Sequence, residues 1–387
     1  MWPLELLGVL PAALPPHSSP RPIIPRPPPH AAADAPPARV PLFTHSSTGA
    51  DGQFFPCVRI PTAVAVPGGP VRLAFAECRR WIGDGCEPTA LPRPAAAHPA
   101  DESDRFICLK RSTDAGRTWG ALENTNVTQM RSTNPSAVWD LHTSSVRLFF
   151  SADDHFQNRS GIHAVSSTDS GLSWSAAVAQ TVEGTGAPLL GSVGPAHGAI
   201  STRRRDGSLL TALASHLHRP HPIKPRASSP MRTFDTWVYT SVLGGDGHWR
   251  LARGDLPFIG ETQLAVLMDD TILLNSRCAD GGHGPGTPPT QTYPVPCHRH
   301  SRAVARSTDA GRSFGPLSFD DDLPDPNCQG ALLQLSGDPL GRVAFSNAAS
   351  RHGRVNMSLR ISTDATAARW AQPGTMLSAA AAPAPPY

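Results

Sequence analysis

The chain has 387 residues and a formal charge of only +3, with no long basic run, so the electrostatic footprint expected of a nucleic-acid binder is missing. No apolar stretch approaches the roughly 20 residues that cross a bilayer as a helix, which leaves peripheral association as the membrane contact open to it. The length allows a sizeable core, and an all-β barrel or propeller can use such a length as one domain.

Proline numbers 42 in the whole chain and is concentrated partly at the start, so residues 1–48 are expected as a flexible or polyproline-II-like leader and residues 49–387 as the folded domain. Within the leader, Trp2 to Leu14 is apolar enough to suggest a signal peptide but lacks a basic n-region and is broken by prolines. Acceptor triplets at Asn126, Asn158 and Asn356 suit a lysosomal or other secretory route, although such triplets also arise by chance and a cytoplasmic location stays open. Seven cysteines cannot all pair within the chain. Cys78 with Cys86 and Cys278 with Cys297 could close loops, but buried free thiols are the commoner state of cysteine and are the expectation here.

The first strand signal after the leader is Val58-Arg59-Ile60-Pro61, followed by a β-run ending Leu73-Ala74-Phe75-Ala76-Glu77. Apolar neighbours pull Arg59 inward, so its charge needs an anionic partner. An acidic run, Asp101-Glu102-Ser103-Asp104, precedes another strand signal at Phe106 to Leu109. Then comes an eight-residue motif, Ser-x-Asp-x-Gly-x-x-Trp, at Ser112–Trp119; it recurs at Ser167–Trp174 and, with Phe for Trp, at Ser307–Phe314.

Its physics is local. Asp114, Asp169 and Asp309 can accept bonds from backbone N–H groups of a turn, Gly116, Gly171 and Gly311 supply a positive φ, and the aromatic folds back onto the sheet. These aspartates therefore read as structural rather than catalytic. Strand signals at Ile162 to Val165 and Ala303 to Ala305 precede the second and third copies. The interval from Ser112 to Ser167 is close to the roughly 50-residue period of a four-stranded propeller blade. Decayed copies are expected at Asp246–Trp249 and at Ser362–Trp370, the latter without its glycine.

Short-spaced groups at His216, His218 and His221, and at Cys297, His298 and His300, lie in Pro/Arg-rich stretches without a second ligand pair. Residues 217–231 and 279–300 accordingly read as insertion loops. No metal and no cofactor are expected.

Arg-Ile-Pro near the N-terminus combined with several of these Asp boxes resembles the sialidase (neuraminidase) family, from about Phe55 to the C-terminus, and most closely the animal lysosomal-type sialidases. The resemblance implies an all-β, six-bladed β-propeller with its site at one end of the central channel, here with an incomplete last blade. It implies an exo-α-sialidase that removes terminal sialic acids from glycoproteins, oligosaccharides and gangliosides, in lysosomal ganglioside and oligosaccharide catabolism. Three arginines would grip the substrate carboxylate, a task suited to a planar fork of donors: Arg59, Arg277 and Arg354, with Arg360 as runner-up for the third. Asp101 would be the acid/base, with Asp104 and Asp84 as alternatives. Tyr387 would be the nucleophile, with Glu261 taking its proton, in the retaining scheme that uses tyrosine. Glu77, Arg79 and His197, the last in Gly194-Pro195-Ala196-His197-Gly198, would add substrate-side contacts, and Asn134-Pro135 with Asp140 would open the second blade. Tyr387 is the last residue, where the family continues with further strands. A non-catalytic Asp-box propeller that binds glycans or proteins is the alternative reading.

Overall fold

Each Asp box turns out to be a self-contained hydrogen-bonded unit that ends one strand and starts the next. In the first, Gly116 N–H donates to the Ser112 hydroxyl (2.9 Å), Thr118 N–H donates to the Asp114 carboxylate (2.9 Å), and Ala115 and Gly116 both take positive φ, 63° and 89°. The second and third repeat this, with Ser170 (61°) before Gly171 (87°) and Ala310 (63°) before Gly311 (76°). Hydrogen bonds from Thr118 and Ser173 hold Asp114 and Asp169 at a pKa of about 2. For Asp309, burial pushes upward, but bonds from Ser313 and Ser307 win and also bring it to about 2. The carboxylate oxygens of these aspartates are occupied by the turn itself.

The computed structural model describes residues 41–44, 47–80, 104–123, 126–152, 161–220, 232–244, 248–254, 256–257, 259–278, 300–351, 353–372 and 375–376. The described residues from Leu42 onward form one unit. It opens with a small hairpin, β1 (Ser47–Thr48) and β2 (Phe54–Phe55), so ordered structure begins before residue 49. Five antiparallel meanders follow. Blade 1 is β3 (Cys57–Ala65), β4 (Arg72–Arg79) and β5 (Arg105–Ser112). Blade 2 is β6 (Ser132–Asp140), β7 (Ser145–Ala152), β8 (Ile162–Ser167) and β9 (Val178–Ala179). Blade 3 has β10 (Ser192–Val193) and β11 (Ala199–Arg203) both paired to β12 (Leu209–Pro220), then β13 (Arg232–Ser241) and β14 (Arg250–Leu251). Blade 4 is β15 (Ile259–Val266), β16 (Ile272–Cys278), β17 (Ser301–Ser307) and β18 (Ser318–Pro324). Blade 5 is β19 (Gly330–Gln334), β20 (Val343–Ala348), β21 (Met357–Ile361) and β22 (Thr375–Met376).

The blades pack face to face. Leu73, Phe75 and Leu109 of blade 1 meet Val146, Leu148 and Phe150 of blade 2; Phe149 and Ile162 meet Leu213, Tyr239 and Trp249 of blade 3. Leu210, Ala212 and Val238 meet Leu264, Ile272 and Leu274 of blade 4, and Ala265 and Leu273 meet Leu332, Phe345 and Trp370 of blade 5. The second strands β4 and β7 are buried along almost their whole length because both faces are covered, β7 by blades 1 and 3 and β4 by blade 2 on one face and by Phe43, Phe55 and Leu122 on the other. Each fully buried Leu or Phe contributes about 1.5–3 kcal/mol. The two expected decayed boxes are described to different extents. Trp249 is fully buried, while Asp246 lies outside the described residues; at Ser362–Trp370, Ala367 takes the positive φ (50°) in place of glycine.

Several expectations change. Six blades were expected, whereas the described residues hold five, and the far face of blade 1 is covered by Phe43, Phe55 and Leu122 rather than by another blade. Residues 217–220 are not loop: they extend β12, because pairing with β13 runs on to Pro220 opposite Arg232. Cys78 bonds to Cys108 on the adjacent strand (Cα–Cα 5.9 Å), not to Cys86, since neighbouring strands bring those two within bridging range. Cys57 and Cys278 are also in disulfides, against the expectation of buried free thiols, and Cys328 is the free cysteine among the described residues. The expected partner of Cys278, Cys297, lies outside them, as do Asn158 and His221.

Candidate functional site

The innermost strands of blades 1, 2 and 4 all break register near their first residues. The breaks fall between Arg59 and Thr62 in β3, between Thr133 and Ser136 in β6, and between Ile259 and Thr262 in β15. In the first two the extra residue precedes a proline and takes positive φ, Ile60 at 56° and Asn134 at 53°. For β-branched Ile60 this is a strained conformation, worth on the order of 1–3 kcal/mol. A bulge re-aims the side chains beside it, and Arg59, Thr133 and Glu261 all stand at this bulged end of their blades.

Blade 3 reaches the same level with the loop Gly194–Gly198, which is bonded by three other blades. The Ala196 carbonyl accepts from the Thr62 hydroxyl of blade 1 (2.8 Å) and the Ser136 hydroxyl of blade 2 (2.9 Å). From blade 4, Gln263 Nε2 donates to the Pro195 carbonyl (2.6 Å), and Gln263 Oε1 accepts from His197 N–H (2.8 Å). Both glycines are required by close approach: a Cβ on Gly194 would lie 2.0 Å from the Thr262 carbonyl oxygen, and one on Gly198 would lie 2.0 Å from that of Gly194. Burial pulls the His197 pKa down to about 4, so the ring is neutral at physiological pH, and its Nδ1 makes no hydrogen bond.

Behind Arg59, blade 1 supplies a buried charge pair. Arg79 donates to Glu77 Oε2 through Nε (2.9 Å) and Nη2 (2.6 Å), and Glu77 Oε1 accepts from Asn134 N–H (2.7 Å) and the Thr133 hydroxyl. Burial pushes the Glu77 pKa up, but Arg79, Arg105 and these two bonds outweigh it and hold the carboxyl below its usual range. Glu77 is fully buried and stands opposite Arg59 in the ladder, so it supports the bulges of two blades rather than facing solvent.

Blades 4 and 5 supply the other charges. Arg277 donates to Glu261 Oε2 (2.7 Å) across the β15 bulge, with both side chains 15% exposed. Arg354 is exposed in the β20–β21 hairpin and donates to the Asn327 carbonyl (3.4 Å) in the loop before β19. Cys328 follows Asn327; burial raises its thiol pKa, and Arg354, Glu261, Arg277 and Asp325 all act on it electrostatically, so these groups share one neighbourhood. Arg360, the runner-up, is buried within blade 5, bonded to Gln372 and acted on by Asp320 and Asp322, and this favours Arg354. Sequence reasoning missed Arg302, Asp325 and Cys328. Arg302 carried a usable signal, an arginine among small apolar residues in Ser301-Arg302-Ala303-Val304, the same argument that singles out Arg59.

The search against protein-family models found no match. Among known proteins the chain is 29% identical over 364 residues to a sialidase of Micromonospora viridifaciens, covering 86% of this chain and 48% of that one. It is 28% identical over 340 residues to an exo-alpha-sialidase of Arthroderma benhamiae, covering 83% and 71%. Its fold matches that of the Hadza microbial sialidase Hz136 with a TM-score of 0.58 at 19% identity, over 84% of this chain and 59% of that one. The chain is similar to sialidases in sequence and matches them in fold. It spans about half the length of the first of these relatives.

Asp101 and Tyr387 lie outside the described residues, as do Asp84 and Tyr293. The connection that carries Asp101 leaves β4 at Arg79 and rejoins at Arg105, directly opposite it in the ladder. Asp104 is paired with Arg131 (3.2 Å). Tyr239 is buried between blades 2 and 3, and burial pushes its phenol up to about 12, which disfavours it as a nucleophile.

Proposed function

We propose that the protein is an exo-α-sialidase that removes terminal sialic acids from glycoproteins, oligosaccharides and gangliosides with retention of configuration. The observation that carries this reading is the gathering of Arg277, Glu261 and Arg354 around one loop, at the bulged end of the blades where Arg59 also stands. Three guanidinium groups would take the carboxylate that marks the sugar, each able to give two parallel bonds. Arg277 occupies one oxygen of Glu261 and leaves the other to accept the phenol proton of Tyr387. The phenol oxygen would then bond to the anomeric carbon as the bond to the leaving oxygen breaks, with Asp101 donating the proton that oxygen needs. Asp101 would next take a proton from the water that releases the sugar. A neutral phenol avoids bringing a second full negative charge towards the substrate carboxylate.

A sixth blade closing the ring is part of this reading, with its place between blade 5 and the Phe43/Phe55 face of blade 1. The lysosomal or secretory route is supported by the disulfides at Cys57, Cys78, Cys108 and Cys278, since such bonds persist in oxidising compartments. Release of a fluorescent aglycone from a sialoside tests the activity. Arg59→Lys keeps the charge but loses the fork, and kcat/KM should fall at least ~100-fold; near-normal turnover would remove Arg59 from the clamp. The alternative, a glycan-binding propeller without catalysis, is favoured by the five blades among the described residues and predicts sialoside binding without release.

A further inference from the structure

Arg302 is the only arginine among the described residues whose side chain is fully buried, and it touches every element that presents the candidate clamp of blades 4 and 5. From β17 its Nε donates to Asn275 Oδ1 of β16 (2.8 Å), two residues before Arg277. Nη1 donates to the Cys328 carbonyl (2.7 Å) and lies 3.5 Å from Asp325 Oδ1, and the guanidinium stacks over Phe345 of β20 at 5.4 Å. Asp325 is buried too and completes the link. Its Oδ2 accepts from the N–H of Cys278 (3.0 Å), the residue that follows Arg277, and its Oδ1 accepts from the N–H of Cys328 (3.1 Å). Asn327, whose carbonyl receives Arg354, lies between these anchored positions.

A buried ion pair of this kind is a poor source of net stability, because removing both charges from water costs several kcal/mol that their attraction only partly returns. Its contacts are better explained by placement. The side-chain hydrogen bonds of Arg302 and Asp325 fix the backbone or strand next to Arg277 or next to the acceptor of Arg354, and a bidentate grip tolerates errors of only about half an ångström. We infer that Arg302 and Asp325 form a buried positioning pair that sets Arg277 and Arg354 in register with each other, so that two arginines from different blades can grip one carboxylate. This inference rests on the sialoside reading above. Neither residue touches substrate.

The test measures affinity for the 2,3-unsaturated analogue of N-acetylneuraminic acid and for its methyl ester, by calorimetry, on the full chain and on Asp325→Asn and Arg302→Lys. The preference for acid over ester should fall at least ~10-fold in both variants, while circular dichroism shows an unchanged fold. A merely structural role would lower the melting temperature and leave that preference intact in the folded protein. That result would overturn the proposal. If either variant does not fold, hydrogen exchange on the unaltered protein decides: the acid, and not the ester, should slow exchange at the amides of Cys278 and Cys328, and equal exchange with both ligands would overturn the pair's role. An unaltered protein with no preference for acid over ester would instead bring down the sialoside reading, and this inference with it.

Discussion

The Asp boxes of blade 1 and blade 2 share a sequence, a turn and the same internal bonds, yet they sit in different surroundings. A Cβ on Gly171 would meet Leu73 of blade 1 at 2.8 Å, and Trp174 packs edge-on against Phe75 of blade 1 at 5.6 Å. A Cβ on Gly116 would meet only its own Trp119, at 3.7 Å, and Trp119 Nε1 simply closes onto the Gly116 carbonyl (3.1 Å). The third box repeats the crowded case, with Gly311 against Thr240 of blade 3. The difference teaches that the box has two separable functions. It closes a hairpin by local hydrogen bonds, and, where a preceding blade exists, it also keys one blade into the next.

The largest effect that tests this separation comes from glycine. Gly171→Ala suffers both the left-handed backbone, about 1–2 kcal/mol, and overpacking against Leu73, about 1–3 kcal/mol, whereas Gly116→Ala should suffer only the first. Urea unfolding of the pair measures it; equal losses would mean that the blade 2 box does not act as a key. Next comes the aromatic: Trp174→Ala should cost about 2 kcal/mol through lost packing and the edge-on pair, and Trp119→Ala under ~1 kcal/mol.

The smallest effect is shared by all boxes and sharpens the local half of the comparison. The folded carboxyls of Asp114 and Asp169 have pKa values lowered from 3.8 to about 2. Their contribution is therefore fully present above about pH 4 and lost as pH falls towards 2. Asp114→Asn and Asp169→Asn should flatten the acid limb of a stability–pH curve to a similar degree, because the bonds responsible lie within each turn. A much larger change at Asp169 would show that the blade contact reaches the carboxyl. At the site itself, His197→Gln should leave the pH profile of sialoside binding unchanged between pH 5 and 8, because the ring carries no charge there. A lost titration in that window would show that His197 carries charge at the pH of binding.

What was legible followed the same division. The boxes and the strands before them can be read along the chain, since the groups involved are local, whereas the Glu261–Arg277 pair, although on consecutive strands, came only from the structure. The inward pull on Arg59 was legible from its apolar neighbours, and the identical argument would have found Arg302. The support of Gly194–Gly198 was not legible, because Thr62 and Ala196 are 134 residues apart and nothing in either segment names the other. The Cys78–Cys108 bond was hidden for a related reason: strand register, not spacing in sequence, brings those sulfurs together.

By itself, the sequence determined the turn units, their number of clear copies and the residue types able to hold an acidic sugar. Turn chemistry is satisfied within about eight residues, and that makes it readable. The tertiary structure alone decided which arginines share a neighbourhood, which charges are buried supports and where the blade interfaces lie. Those outcomes depend on register shifts at the bulged strand ends and on bonds between blades, which form only once each blade has a neighbour to pack against.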